Sequence, residues 1–478
     1  MEYLTTIGLE VHVQLRTASK MFCSCPHRYG APPNSQTCPV CLGYPGVLPV
    51  PNRQAIEWTM LTGLMLGCRI ARYSKFDRKS YFYPDMPKNY QISQYDLPLC
   101  EGGYVEVDLE NGDTKKVGIT RIHLEEDVAK STHHSTTSAI DFNRAGTPLM
   151  EIVTEPDIAG PEEAYAFLTS LKQILTFGGV SDCNMEQGNI RCDANISIRP
   201  VGQDGLGVKT EIKNMNTFSG AQRALAYEVE RQKEILNSGG RIEQETRRWD
   251  DVSGTTELMR SKEDAHDYRY FPDPDLMPMV VDEAWISRLT AEMPELPRTR
   301  KARFERQYGI SPYDAGVLTA DPELALFYEA AAAGSADAKA AANLVSNLLL
   351  HALAEAGMEI GSSPVRPEHI TSLVNLVAEG TISSQIAKDV FAVVFETGRG
   401  PEEIVRERGL VQVQDTDQIR TWVRSVIEEN PGPAADFRAG REKAIGRLVG
   451  AVMKASRGKA NPQLVNEVLR EELTRGGV

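Results

Sequence analysis

The 478 residues contain no unbroken apolar run of the ~18 side chains that a membrane-spanning helix needs. Nor do the opening residues pair a basic stretch with an apolar one, so neither a membrane span nor a secretory signal is expected, and the compartment expected is the cytoplasm. A GxxxxGK[ST] loop is absent, and Gly202-Gln-Asp-Gly-Leu-Gly207 does not follow the GxGxxG order. A nucleotide bound here is therefore held by neither a P-loop nor a Rossmann turn. Without an internal repeat or a low-complexity tract, solenoids and disordered linkers are excluded as the main architecture. Basic residues are also short: 52 Lys and Arg face 66 Asp and Glu, a net charge of −14. That balance excludes a protein that coats nucleic acid by bulk charge, although a local basic patch is still allowed.

Cysteine is sparse but concentrated. Four of the eight cysteines, Cys23, Cys25, Cys38 and Cys41, form CxC, a connecting loop and CxxC. Two short knuckles of this kind place four thiolates around one Zn²⁺, and Pro26, Pro33, Pro39 and Gly43 supply the turns. In a reducing compartment zinc is preferred over disulfides. Four thiolates close the coordination shell and leave no position for water, so the predicted role is structural.

Up to about residue 295 the chain alternates strand-like runs with turns and a few helices, whereas beyond Pro294-Glu-Leu-Pro297 it becomes Ala/Leu-rich with helical periodicity. A further break at Gly398-Arg-Gly-Pro401 opens a tail of short helices, in which Asp436 to Arg475 carries nine basic residues (Arg438, Arg441, Lys443, Arg447, Lys454, Arg457, Lys459, Arg470 and Arg475) against five acidic ones.

Alternation along four runs decides which side chains share a strand face. In Leu4 to Gln14 the apolar Ile7, Leu9, Val11 and Val13 leave Glu10, His12 and Gln14 together. Ile119 to Asp127 leaves Arg121, His123, Glu125 and Asp127; Ile190 to Ile198 leaves Arg191, Asp193, Asn195 and Ser197; Val208 to Lys213 leaves Lys209, Glu211 and Lys213. The last two runs are joined by a turn-rich link suited to an antiparallel hairpin. If these strands share a sheet, Glu10, His12, Glu125, Asp193 and Glu211 gather hard oxygen ligands suited to Mg²⁺, or to Mn²⁺ given the imidazole. The same faces serve equally as solvated surfaces of an antiparallel sheet, because strand order is not written locally. Lys209, Lys213 and Asn214 beside such a metal suggest phosphoryl transfer.

The segment Phe76 to Ser93 interleaves Arg78, Lys79 and Lys88 with Tyr81, Phe82, Tyr83 and Tyr90, and its prolines keep it out of a helix. Cations among rings suit an adenine or an unpaired nucleic-acid end, and a packed loop with its rings in the core is the alternative. His266 to Asp273 has the same composition and the same two readings.

Ile7-Gly-Leu-Glu-Val-His-Val-Gln-Leu15, the cysteine pairs, Asp77-Arg-Lys-Ser-Tyr-Phe-Tyr-Pro-Asp85, His123-Leu-Glu-Glu-Asp127, Asp141-Phe-Asn-Arg-Ala-Gly-Thr-Pro-Leu149, Arg191-Cys-Asp-Ala-Asn-Ile-Ser197 and Tyr268-Arg-Tyr-Phe-Pro-Asp-Pro-Asp275 together resemble the B subunits of tRNA-dependent amidotransferases. The likeness extends to Gly458-Lys-Ala-Asn-Pro-Gln-Leu-Val-Asn466 in the tail. It implies an α+β protein. A mixed and antiparallel β cradle carrying the four-cysteine zinc insertion at 23–41 occupies 1–295, an all-α domain follows at 296–400, and a small helical tail contacting tRNA spans 401–478. The implied activity is that of an ATP-dependent carbon–nitrogen ligase with glutamine as amido donor. The B subunit phosphorylates the side-chain carboxylate of Glu-tRNA(Gln), Asp-tRNA(Asn) or both with ATP and Mg²⁺, and ammonia from a partner amidase, the A subunit, displaces the phosphate. A small C subunit completes the heterotrimer.

Residue by residue, the likeness assigns catalysis and Mg²⁺ to Glu10, His12, Glu125, Asp193 and Glu211, with Glu126 as a further Mg²⁺ ligand. It points to Lys79, Tyr81, Lys88, Lys213 and Asn214 for ATP or the aminoacyl end. Strand parity favours Glu125 over Glu126 unless a bulge intervenes. A zinc-stabilised tRNA-binding scaffold without chemistry of its own is the competing reading.

Overall fold

A computed structural model describes residues 2–109, 111–261, 267–411, 415–456 and 460–475. His266 of the second aromatic segment, and Arg457, Gly458 and Lys459 of the tail, lie outside the described residues, as does the side chain of Arg475. The chain forms two compact units, Met1–Leu296 and Pro297–Val478. The first is a mixed α/β unit and the second is helical, giving the α+β class. Among the described residues no helix is long and apolar enough to cross a membrane.

The first unit is organised by a sheet of ten described strands: β1 (Tyr3–Gln14), β2 (Arg69–Ile70), β3 (Cys100–Glu101), β4 (Tyr104–Asp108), β5 (Thr114–Glu126), β6 (Pro148–Thr154), β7 (Ile190–Pro200), β8 (Thr210–Met215), β9 (Glu245–Asp250) and β10 (Thr255–Ser261). They run in the order β10-β9-β8-β7-β1-β6-β5-β3-β2, with β4 also paired to β5. β1 therefore lies between strands that follow it by well over a hundred residues. Pairing is antiparallel except between β8 and β9, which are joined through helix α3 below, the kind of crossover that parallel neighbours require.

Period-two alternation puts Ile7, Leu9, Val11 and Val13 of β1 on a dry face, each no more than 1% exposed. Three helices cover the apolar side: α1 (Arg53–Met65), α2 (Pro161–Phe177) and α3 (Phe218–Asn237). Asn52 caps α1 by accepting from the amides of Gln54 and Ala55, Pro161 starts α2 with φ already set for a helix, and the Thr217 hydroxyl caps α3 at Gly220. Phe167, Leu168, Leu171 and Leu175 of α2 join Ala221, Ala224 and Leu225 of α3 and the β1 residues in one core. Each fully buried Ile, Leu or Phe there contributes about 1.5–3 kcal/mol. The opposite face stays polar. A smaller sheet, Phe271–Pro272, Asp77–Ser80 and Tyr90–Ser93, brings the two aromatic segments together.

In the second unit the Ala/Leu-rich stretches are helices, including Pro322–Ala333 and Pro367–Ala378. Between the helices Ala338–Asn343 and Leu350–Ala356 the chain makes a π-helical turn, Leu344–Leu349. Ile419, Val423, Leu448, Val452, Val465 and Leu469 form a separate core near the end of the chain.

Candidate active site

Registers across the sheet align the polar side chains in rows. His12 stands opposite Glu151 on β6 and Arg191 on β7, and Glu151 stands opposite His123 on β5. Glu10 pairs with Asp193, and Asn195 with Glu211. Glu125 occupies the same face one step beyond His123. Five carboxylates, Glu10, Glu125, Glu151, Asp193 and Glu211, thus share one surface with His12, Lys213 and, from the small sheet, Lys79.

The centre of this surface is compact. Ligand atoms of His12, Glu125 and Glu151 all lie within 4.8 Å of one another. The His12 Nε2 is 3.2 Å from Glu151 Oε2 and 3.9 Å from Glu125 Oε1. His123 Nε2 approaches the same Glu151 oxygen at 3.6 Å, and the Ser93 hydroxyl donates to Glu125 at 3.3 Å. Burial is the largest influence on Glu125 and raises its pKa, and the charge of Glu151 pushes in the same direction. Glu10 is raised for the same two reasons. Burial works against ionised Glu151 as well, but the His123 and His12 rings and Lys79 outweigh it and hold that carboxyl low. His12 is raised: burial favours its neutral form, yet the hydrogen bond and charge of Glu151, with Glu125 and Asp193, overcome it. Burial pushes His123 down to about 4, so it is neutral at physiological pH. A group of like charges held together in this way is a site prepared for a cation.

Lys79 is kept protonated, against its burial, chiefly by Glu125, and its Nζ lies 4.8 Å from the Tyr268 ring centre. Lys213 Nζ bridges Asp193 at 2.6 Å and Glu211 at 3.0 Å. A bulge explains that reach. Cys192 pairs with Met215 and Ala194 with Ile212, so Lys213 and Asn214 together oppose Asp193. Asn214 absorbs the extra residue at φ 66° and turns away, donating instead to the Trp249 carbonyl at 3.0 Å.

The structure therefore brings His12 and Glu125 together, places Glu10, Asp193, Glu211, Lys79 and Lys213 beside them, and sets four other expected residues apart. Glu126, one residue on from Glu125, points to the opposite face, where Lys88 and the Ile92 amide bind its carboxylate. No bulge brings it back. Lys88 is on that far side with it, lining a pocket with Lys20, Cys23 and Cys41. Tyr81 stacks on Tyr83 at 5.1 Å, and Asn214 is occupied as described.

Cys23, Cys25, Cys38 and Cys41 present sulfurs that also fall within 4.8 Å of one another. Zn–S bonds of ~2.3 Å require sulfurs ~3.8 Å apart in a tetrahedron, so the donor set fits Zn²⁺. The Cys38 amide donates to Cys41 Sγ at 3.2 Å. Four thiolates around Zn²⁺ carry a surplus of negative charge, and Lys20, fully buried with its Nζ 3.7 Å from Cys41 Sγ, offsets part of it.

Comparison with known proteins shows the family. Residues 5–287 match a family described as the GatB/GatE catalytic domain, and residues 326–473 match one described as the GatB domain. The chain belongs to the GatB family. It is 54% identical over 479 residues to the aspartyl/glutamyl-tRNA(Asn/Gln) amidotransferase B subunit of Carboxydothermus hydrogenoformans, covering 99% of each chain. The protein of the same name from Caldanaerobacter subterraneus subsp. tengcongensis is 52% identical over 476 residues, and that from Macrococcus caseolyticus 52% over 475. Both clusters lie inside the region matched to the GatB/GatE catalytic domain.

Glu151 is the member of the His12, Glu125 and Glu151 cluster that alternation did not reveal. It is the one charged residue of Pro148–Thr154, between Met150 and Ile152, both 0% exposed. A lone Glu in an apolar strand needs a partner, and that was the available signal.

Proposed function

We propose that this B subunit activates the side-chain carboxylate of a misacylated tRNA, Glu-tRNA(Gln) or Asp-tRNA(Asn), with ATP, and amidates it with ammonia from a partner amidase. The observation that carries this reading is the meeting of His12, Glu125 and Glu151 within 4.8 Å on a face flanked by Lys79 and Lys213.

A carboxylate resists ammonia because it is a poor electrophile with no leaving group. Transfer of the terminal phosphoryl group of ATP to its oxygen gives an acyl phosphate and ADP. Ammonia then adds to the carbonyl carbon, the C–O bond to phosphate breaks, and amide and inorganic phosphate remain once a proton is lost. Mg²⁺, held by His12, Glu125 and Glu151, would neutralise the phosphates during the transfer. Lys79 and Lys213 supply fixed positive charge beside that position, and Glu10 or Asp193 accepts the proton that ammonia sheds. Because ammonia must arrive unprotonated, the reading includes an amidase A subunit that delivers it internally and a small C subunit that holds the heterotrimer. The tail binds the tRNA body. Arg447 and Lys454 are exposed seven residues apart on the helix Ile445–Ala455, which aligns them along one side, and Lys443 is exposed in the 3₁₀ turn just before it, whereas Arg441 is already paired with Asp436 at 3.0 Å.

The test uses the reconstituted heterotrimer with ATP labelled on its terminal phosphate and each misacylated tRNA in turn. Glu125→Gln and Asp193→Asn are expected to abolish labelled acyl phosphate and amide formation while glutamine hydrolysis by the partner continues. Normal transamidation by both variants overturns the site. Absence of label on the aminoacyl group in the wild-type reaction favours the scaffold reading.

A further inference from the structure

Tyr95 lies two residues beyond Ser93, whose hydroxyl reaches Glu125. Its ring stacks on Tyr270 with centroids 4.2 Å apart and planes 11° from parallel. Tyr95 is nonetheless 61% exposed, so its inner face is covered by Tyr270 and its outer face is open. A pair of rings stacked only for packing would be buried. The arrangement is anchored as well: the Tyr95 amide donates to Asp77 at 3.2 Å, and Asp77, itself 1% exposed, is also bonded to Lys75.

The inner ring joins this pair to the carboxylate centre. Tyr270 feels the charges of Lys79, Glu125 and Glu151. Tyr268, in edge contact with Tyr270 at 6.3 Å, carries Lys79 over its face and accepts the Ser80 amide through its carbonyl at 2.9 Å. Arg269 between them adopts φ 45°, a conformation that a residue with a β-carbon holds only when its surroundings impose it. The aromatic segment is thus a preformed wall beginning at the catalytic carboxylates and ending in one open ring.

We propose that the outer face of Tyr95 is the seat of an adenine ring, which continues the Tyr270–Tyr95 stack while the phosphates or acyl end attached to that adenosine reach the Lys79 and Glu125 centre. The inference rests on the proposed function and adds the subsite that function leaves unassigned. Two substrates carry adenine, ATP and the 3′-terminal nucleotide of the aminoacylated tRNA, and a stacking face accepts a base without reading which chain it belongs to.

The experiment compares Tyr95→Ala, Tyr95→Phe and wild type in the reconstituted heterotrimer. Equilibrium dialysis measures the binding of ATP, of an RNA hairpin ending in adenosine and of the same hairpin lacking its terminal base. KM for ATP and for Glu-tRNA(Gln) is measured beside it. Loss of one stacked base weakens binding about tenfold. Tyr95→Ala is expected to show that loss for one of the two adenine ligands, and Tyr95→Phe to bind within about twofold of wild type, because stacking needs the ring rather than the hydroxyl. A loss confined to ATP identifies the nucleotide's base. A loss confined to the adenosine-ended hairpin, absent with the base-free one, identifies the RNA terminus. Unchanged binding of both ligands overturns the proposal, as does an equal loss in Tyr95→Phe or failure of the Tyr95→Ala subunit to co-elute with its partners. Because dialysis needs no chemistry, wild-type binding without phosphoryl transfer would sink the proposed function and leave this subsite intact.

Discussion

Replacing Glu125 with glutamine should stabilise the metal-free fold at alkaline pH while removing its response to divalent cations. The oxygens of Glu125 and Glu151 lie within 4.8 Å. At an effective dielectric of about 20 their repulsion is about 3.5 kcal/mol. His12 returns attraction of similar size across 3.9 Å, but only while protonated. The balance, burial first, leaves the Glu125 pKa raised above its ordinary 4.5. An acid raised in the fold costs stability in its ionised form, about 1.4 kcal/mol for each unit of the rise. That cost is absent below 4.5, where the carboxyl is protonated folded or unfolded, and is complete above its folded value. His12 has the opposite sign. Raised from 6.5, it contributes stability that is complete below 6.5 and lost as pH rises through its folded value, and its attraction to Glu125 is lost with it.

The expected gain for Glu125→Gln in urea unfolding is therefore small near pH 4 and larger at pH 8. Mn²⁺ at a hundred times its dissociation constant should stabilise the wild type by about 2.7 kcal/mol, and the variant should lose most of that shift. A variant less stable than wild type at pH 8 with an undiminished Mn²⁺ response would refute the reasoning.

Glu228, fully buried, accepts from Arg231 at 2.9 and 2.6 Å, and Glu228→Ala should cost about 3–5 kcal/mol in urea unfolding because it removes one partner of a buried ion pair and leaves Arg231 with Glu245 alone. Asp127 is opposed by burial, yet Arg191 and Arg144 hold its pKa below the ordinary 3.8, so its contribution is present above 3.8 and lost as pH falls through the folded value. The destabilisation by Asp127→Asn at pH 7 should accordingly shrink in acid titrations. Cys25→Ser should lower both zinc content by elemental analysis and the melting temperature; full zinc with an unchanged melt would count against a closed tetrahedral site. Truncation after Gly398 should weaken tRNA binding and flatten its dependence on log salt, by roughly one unit of slope per lost phosphate contact, as measured by filter binding between 50 and 200 mM salt.

How much of this site could be read in advance follows from how local each cause is. The cysteine cluster is closed by residues within one short segment, so its spacing alone describes it. Period-two alternation is almost as local: where one face of a strand is dry, the polar remainder must project from the other, which put Glu10, His12 and Glu125 on polar faces and Glu126 behind the sheet. Strand order is not local, because β1 meets β6 and β7 only after more than a hundred intervening residues have folded. That is why the same alternation was compatible with a solvated surface, and why Glu151, whose strand is apolar on both faces, escaped notice. The bulge at Lys213 and Asn214 shows the limit from the other side. One inserted residue leaves Lys213 bridging Asp193 and Glu211 but sends Asn214 to the Trp249 carbonyl, and no alternation pattern marks where such an insertion falls. An isolated acid inside an otherwise apolar strand is therefore a better pointer to a buried site than the polar runs, since burial without partners would cost more than the strand gains.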